Sequence, residues 1–335
     1  MSAYEPKITP WAVKGLPFPQ KDAREQLLFL LRFAILAPSI YNTQPWLFRV
    51  APPTIGLLAN PAQRFAACDP EGRHLNLSLG CALENLLIAA EHFGFAHNVE
   101  YFPEVDDAYP WAAAVTLTSG GSLAPWRQHL FDCIPARHTN HRRYQERPVP
   151  AEALRALQNV VVEEGVVLQF VEDVETHQRI REVLDRADAQ LFADPNARQA
   201  ILESVLEGTI AVGWLASTLG RIAAHALRLD ALALHREEGA PLHAPLVGLI
   251  LTQEDDRVQQ VRAGQVFERV HLMATYLGLS VQPINHALGL LSNRQALIAA
   301  LHLDATPQML FRLGFAEPEP EHTPRRPLES VVLAD

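Results

Sequence analysis

Ala37-Pro38-Ser39-Ile40-Tyr41-Asn42-Thr43-Gln44-Pro45-Trp46 joins two regular runs of different kind. Before it, residues 22–36 set Leu27, Leu28, Leu31, Ile35 and Leu36 at helical spacings, an apolar face that must pack on something. After it, Trp46-Leu47-Phe48-Arg49-Val50 has extended character. Pro38 and Pro45 fix φ and push the residues before them out of the α region. Ser39, Asn42, Thr43 and Gln44 put hydroxyls and amides into a loop stiffened at both ends, which suits reading the edge of a planar polar ligand. The plainer reading is a helix end followed by an ordinary turn; the density of amides beside an aromatic weighs against it.

Outward from this loop, residues 55–58 after Pro52-Pro53 read as the hairpin partner of residues 46–50. Cys68-Asp69-Pro70-Glu71-Gly72-Arg73 reads as a turn initiated by Asp69. A long helix over residues 75–93 follows, closed by Gly94. Extended runs at 99–102 and 112–118 end this half, and Ser119-Gly120-Gly121-Ser122 is a linker. The second half replays the order: a short helix at 151–161, extended runs at 166–171 and 245–252, and a helix opening at Arg262-Ala263-Gly264-Gln265 and closed by Gly278. We read a divergent internal repeat, residues 1–122 and 123–335, with an insertion at 191–242. Where the first repeat has its Pro/Asn/Gln loop, the second has residues 159–165, so one site per chain is expected rather than two.

At 335 residues the chain can bury a sizeable core. Apolar residues make up 48% and charged residues 20%, ordinary globular values, and a formal net charge of −10 gives nucleic acid or an anionic membrane no general attraction. Only Lys7, Lys14 and Lys21 among the 28 basic residues are lysines, so nearly every fixed cation is a guanidinium able to grip phosphate bidentately. Cys68, Cys81 and Cys133 are odd in number and widely spaced, which suits a reducing cytoplasm and neither a disulfide scaffold nor a cysteine zinc site. Residues 1–20 hold no continuous apolar signal core, so they read as a wrapping arm without a targeting segment. The apolar stretch 205–234 carries Glu207, Arg221, His225, Arg228 and Asp230, too many charges for a bilayer span.

Arg137-His138-Thr139-Asn140-His141-Arg142-Arg143 is the densest basic cluster. An anion site and a solvated basic turn are both open to it, since guanidinium and hydroxyl donors suit a phosphate monoester while many charged clusters only face water. Thr323-Pro324-Arg325-Arg326-Pro327 is a second cluster, in a proline-rich tail, and the two could converge on one phosphate. His138-x-x-His141 lacks further ligands for a metal site. Asn76-Leu77-Ser78-Leu79-Gly80 lacks the first glycine of a nucleophile elbow and sits in a helix. There is no glycine-rich phosphate loop or dinucleotide fingerprint, so NAD(P)H would have to bind outside a Rossmann unit.

Taken together, four segments resemble the FMN-dependent nitroreductases. Pro38-Ser39 to Asn42-Thr43-Gln44-Pro45-Trp46 resembles their flavin-edge loop, and Arg137-His138-Thr139-Asn140-His141 their phosphate-gripping motif. Leu277-Gly278-Leu279 to Gln282-Pro283-Ile284-Asn285 is similar to the segment they lay against the flavin's reactive edge, and residues 324–332 to their C-terminal arginine stretch. The usual enzyme of that family is a homodimer with FMN at the interface, whereas one chain here holds both halves, as in the double-length, Acg-like branch.

The resemblance implies an α+β nitroreductase-like three-layer fold, mixed or antiparallel sheets flanked by helices, with two repeats fused as a pseudo-dimer that is monomeric or pairs further. It implies one non-covalent FMN per chain, NAD(P)H as reductant and a nitroaromatic, quinone or other small electron-poor acceptor. Chemistry would rest on FMN N5, with no catalytic side chain and no metal. Phosphate would fall to Arg137, His138, Thr139, His141, Arg142, Arg325 and Arg326. Ribityl and ring would fall to Pro38, Ser39, Asn42 and Gln44, and the reactive edge to Pro283, Ile284, Asn285 and His286. Asn285-His286 departs from the Glu-Gly of many members. The insertion at 191–242 could act as a lid, and a lidded site supports the alternative of a non-catalytic, FMN-sequestering protein.

Overall fold

The computed structural model describes residues 10–66, 68–122, 124–206, 244–319 and 322–334. The first repeat runs α1 (Ala23–Ala34), β1 (Trp46–Ala51), β2 (Thr54–Ala59), α2 (Arg73–His92), β3 (Phe95–Tyr101) and β4 (Trp111–Ser119). After α3 (Pro125–Cys133) the second runs α4 (Ala151–Asn159), β5 (Val166–Val171), α5 (Val174–Ala193), α6 (Pro195–Leu206), β6 (Leu246–Thr252), α7 (Arg257–Tyr276), β7 (Ser280–Pro283), α8 (Leu291–Leu301) and β8 (Thr306–Gly314). Each repeat owns one four-stranded sheet, ordered β1-β2-β4-β3 and β5-β6-β8-β7, and every named ladder is antiparallel. The two orders are the same circuit, so the repeat read from the sequence is a repeat of topology.

Local chemistry sets the elements. Asp22 caps α1 by accepting from the Glu25 N–H at 2.9 Å. Asp69 accepts from the N–H groups of His74 and Leu75, both at 3.0 Å, and so serves the first turn of α2 from outside. Helix α7 opens at Arg257, five residues before the glycine-containing start expected from sequence, because Asp256 caps it on Gln259 N–H at 2.8 Å. Strand β3 likewise begins at Phe95, ahead of the expected 99–102. Gly94 and Gly278 take φ of 85° and 70°, the left-handed stop expected after α2 and α7.

Helices α2 and α7 are buried on almost every face, which marks them as the centre of the molecule. A Cβ on Gly80 would lie 2.0 Å from the Val261 carbonyl oxygen, and one on Gly264 would lie 2.1 Å from that of Leu77. Only glycine permits backbones this close. Asn76 donates to Gln260 at 2.8 Å across the same crossing. The pairs Asn76/Gln260, Leu77/Val261, Gly80/Gly264, Glu84/Glu268 and Gly94/Gly278 share one spacing, 184 residues. The crossing is therefore a pseudo-two-fold axis. One hydrophobic core crosses it, including Leu30, Phe48 and Leu86 from the first repeat and Phe267, Val270 and Phe311 from the second.

Two connections bring distant chain to the opening loop. The tail pairs with the outer edge of β1, Phe48 N–H donating to Val331 O and Leu333 N–H to Phe48 O, both at 2.8 Å. From the insertion, Leu191 and Ile201 pack with Tyr41, Phe65 and Cys68. Residues 207–243, which hold most of the expected lid and of the apolar stretch 205–234, lie outside the described residues. No helix among the described residues is long and apolar enough to cross a membrane.

Candidate functional site

Arg137, 3% exposed, and Arg325, 8% exposed, converge on one atom. Arg137 Nη2 donates to the Leu36 carbonyl at 3.3 Å and Arg325 Nη2 to the same carbonyl at 3.2 Å, just past the C-terminal end of α1. A helix end attracts one cation without further help; two guanidiniums on one carbonyl leave donors over. Among the described residues, Arg137 Nε and Nη1 and Arg325 Nε have no hydrogen-bond partner. Each such buried donor costs about 1–3 kcal/mol. The only carboxylate paired with Arg137 among the described residues is Glu268, 0% exposed, at 3.6 Å. Burial pushes the Glu268 carboxyl up to about 7, against the pull of Arg137 and Arg325. Burial, and then Arg137, pushes Arg325 down to about 9.

The opening loop faces this pair. It turns through a 3-10 segment at Ile40–Asn42, with Tyr41, Asn42 and Gln44 all at positive φ (48°, 56° and 49°). Three such non-glycine residues in one loop hold strain that the surroundings must maintain. Those surroundings are the tail. Asn42 accepts from Arg325 Nη1 and donates to Pro324 O, both at 2.9 Å, and the Gln44 side-chain Oε1 accepts from Arg326 N–H at 2.8 Å. Ser39 Oγ accepts from Gln44 N–H at 2.9 Å, which fixes the loop internally after Pro38. The Arg326 side chain bonds Gln63. Sequence reading had the loop and tail as separate ligand contacts; the structure has them gripping each other.

The segment after α3 divides. His138 stacks on His322 at 3.7 Å and His322 on Trp11 at 3.9 Å, with Arg325 lying 4.7 Å over the Trp11 ring. The backbone at Thr139 bridges Val281, and the His138 carbonyl accepts from His271 Nε2 at 2.9 Å. His141 Nδ1 lies 2.8 Å from the Gln282 amide. Arg142 is exposed and pairs with Glu319 at 3.4 Å, away from Arg137. His138 and His141 thus face different partners.

Pro283 ends β7, and the next residues run inward. Asn285 spends its amide on β8, accepting from Leu310 N–H at 3.1 Å and donating to Gln308 O at 3.2 Å. Ile284 is buried, its N–H on Leu310 O at 2.7 Å. His286 Nε2 lies 2.7 Å from Asp188 Oδ1 on α5. Asp188 also acts on Tyr41, whose hydroxyl is held well above its usual range by burial first, then by Cys68 and Asp188. The loop's Tyr41 therefore faces the His286 side while its neighbour Asn42 faces the arginines.

Across the pseudo-axis the equivalent place is built differently. Glu84, the counterpart of Glu268, is paired with Arg127 and with Arg269 at 3.3 Å and accepts from Gln265 at 3.0 Å. Arg127 also holds Glu91, and Arg269 holds Glu163, from the segment standing where the opening loop stands in the first repeat. Burial works to raise Glu84, but Arg127 and Arg269 overcome it and hold the carboxyl below its usual range. Here two guanidiniums meet three carboxylates; at the opening loop two meet one. Among the described residues carboxylates outnumber guanidiniums at the first place, while the second carries an excess of buried positive charge, a balance that suits an anion.

Several members of the constellation escaped the sequence reading. Glu268 looked like one polar residue within a long helix, and aligning the two repeats on Gly94 and Gly278 would have set it opposite Glu84. With its amide oxygen and nitrogen exchanged, the orientation that pairs both ends, Asn85 donates to Glu268 at 3.0 Å and accepts from Ala37 N–H at 3.3 Å, tying the carboxylate to the loop. Leu36 enters through its backbone, and Trp11, His322 and Asp188 through contacts that no local pattern announces.

No protein-family model matches the chain. It is 31% identical over 327 residues, 92% of this chain and 91% of the other, to a Mycobacterium tuberculosis H37Rv protein named "Putative NAD(P)H nitroreductase Rv3131". It is 25% identical, over 90% of this chain and 93% of the other, to "Putative NAD(P)H nitroreductase acg" of the same strain. A crystal structure of the FMN-dependent nitroreductase NfnB from Mycobacterium smegmatis with NADPH aligns over 62% of this chain and 98% of its own, with TM-score 0.43 and 18% identity.

Proposed function

Since this chain belongs to the NAD(P)H nitroreductase family, we propose that it binds one FMN non-covalently and serves as an FMN-dependent oxidoreductase. NAD(P)H is the reductant in this reading, and a nitroaromatic, quinone or similar electron-poor small molecule the acceptor. The carrying observation is the buried pair Arg137 and Arg325, with unspent donors and, among the described residues, only Glu268 against them, beside an amide-lined loop. A dianionic phosphate monoester matches that surplus charge and those donors.

The bound flavin supplies the redox chemistry, and the protein supplies grip, orientation and dryness. Arg137 and Arg325 take the phosphate, with Thr139 and the backbone of residues 138–141 completing the grip. Arg142 is engaged by Glu319. Ser39, Asn42 and Gln44 set the loop that reads ribityl and ring. Asn285 fixes the course of residues 283–286 by holding β8, and His286 with Asp188 closes that side. We read residues 1–122 as the half that brings the loop and 123–335 as the half that brings the grip. A reducing cytoplasm suits the three buried free thiols.

The purified chain should carry, or take up from added FMN, a flavin spectrum at one FMN per chain. A colourless protein that takes up none defeats the proposal. A second reading is flavin sequestration, favoured by the packing of Leu191 and Ile201 on Tyr41. Anaerobic NADH and NADPH decide between the two: rapid bleaching means turnover, and a bound flavin that never bleaches means storage.

A further inference from the structure

Glu268 and Glu84 hold the same place in the two repeats, yet only Glu84 is saturated with partners. Glu84 receives two guanidiniums and an amide. Glu268 receives Arg137 at 3.6 Å and the Asn85 amide on one oxygen, and among the described residues its Oε2 has no hydrogen-bond partner. We propose that Glu268 is the resident counter-ion of the anion site: it balances Arg137 while no phosphate is bound, and takes up a proton from solvent when a phosphate monoester seats on Arg137 and Arg325. This rests on the reading of that place as the phosphate site. No bond in the ligand changes; the carboxylate and one solvent proton become a carboxylic acid.

The charges facing Glu268 come from three places among the described residues: from α2 Glu84 and Cys81, from the segment after α3 Arg137, and from the tail Arg325. On its own helix, His271 is held well below the usual histidine range by burial and then by Arg137. Burial and Glu84 favour the neutral carboxyl; Arg137 first, then Arg325 and the Asn85 amide, favour the anion, and burial already brings Glu268 to about 7. A phosphate dianion satisfies both guanidiniums, removes that pull and adds a like charge nearby. The folded, ligand-bound protein then holds Glu268 higher than the free protein does. Ligand binding is therefore coupled to proton uptake at pH above about 7, and affinity falls as pH rises through that window.

The test is calorimetric titration of the full chain with FMN at pH 8, in two buffers of different ionisation enthalpy. The phosphate is already dianionic there, its second pKa being about 6. Wild type is expected to take up nearly one more proton per FMN than Glu268→Gln. Its affinity should fall by up to about tenfold per pH unit above 7 while that of the variant stays level over the same range. Arg325 adds uptake only at higher pH and in both proteins. Equal proton counts and parallel pH profiles overturn the proposal. Should Glu268→Gln not fold, infrared difference spectra of wild type give the answer: a carboxylic-acid carbonyl band appearing on FMN addition supports the proposal, and its absence overturns it. If FMN does not bind, inorganic phosphate is titrated instead. Phosphate uptake with the same proton linkage keeps the counter-ion role and discards the flavin, and no uptake discards both.

Discussion

Among the described residues Arg137 and Arg325 meet one carboxylate between them, whereas Arg127 and Arg269 each hold two. The difference is testable one side chain at a time. Arg137→Ala and Arg325→Ala should each weaken FMN roughly tenfold to a hundredfold, since a charge-assisted hydrogen bond is worth ~1.5–3 kcal/mol. Arg127→Ala should leave Glu84 with Arg269 alone and take from Glu91 its guanidinium, and so cost stability, up to about 3–5 kcal/mol for a broken buried pair, with flavin per folded chain unchanged. Thermal melts and flavin-to-protein ratios separate the two effects. Full flavin content in Arg137→Ala together with Arg325→Ala would remove the assignment. The arginines were legible in the sequence because clustering is local. Glu268 was not, because its partners lie on Arg137 and in the tail, and only its burial between them gives a mid-helix glutamate any meaning.

At the scale of elements, the crossing of α2 and α7 carries both the pseudo-axis and the site, since Glu84 and Glu268 project from it. Gly264→Ala puts a methyl 2.1 Å from the Leu77 carbonyl oxygen, so the helices must part, at or above the upper end of the roughly 1–3 kcal/mol of ordinary overpacking. Gly94→Ala meets no atom within 4 Å and costs only the strain of its positive φ, about 1 kcal/mol. Urea midpoints should fall further for Gly264→Ala than for Gly94→Ala, and the reverse order would mean that the helices do not approach so closely. Helical spacing and terminal glycines made both helices readable, along with the hairpin β1-β2. Their contact was not readable, because Gly80 and Gly264 look like weak points of isolated helices until each faces a carbonyl. The start of α7 was misplaced because Asp256 caps through geometry that no glycine or proline signals.

The whole molecule behaves as a dimer closed by its own chain. Each repeat has its own sheet, but the core is common, and the loop and grip come from opposite sides of the axis. Residues 1–122 and 123–335 made as separate chains should each fail to retain FMN, and a flavin-loaded half would contradict the shared site. The tail's hold on β1 and Asn42 has a further consequence, which concerns time. The Leu36 carbonyl and Arg325, which meet in the finished site, are made 289 residues apart. Through that interval of translation the outer edge of β1 lacks the tail that bridges it, and the strained loop lacks the partner that holds it. On the proposed site, cofactor loading then waits for Arg325: the order in which the ribosome works keeps the loop and the tail apart until Arg325 has emerged.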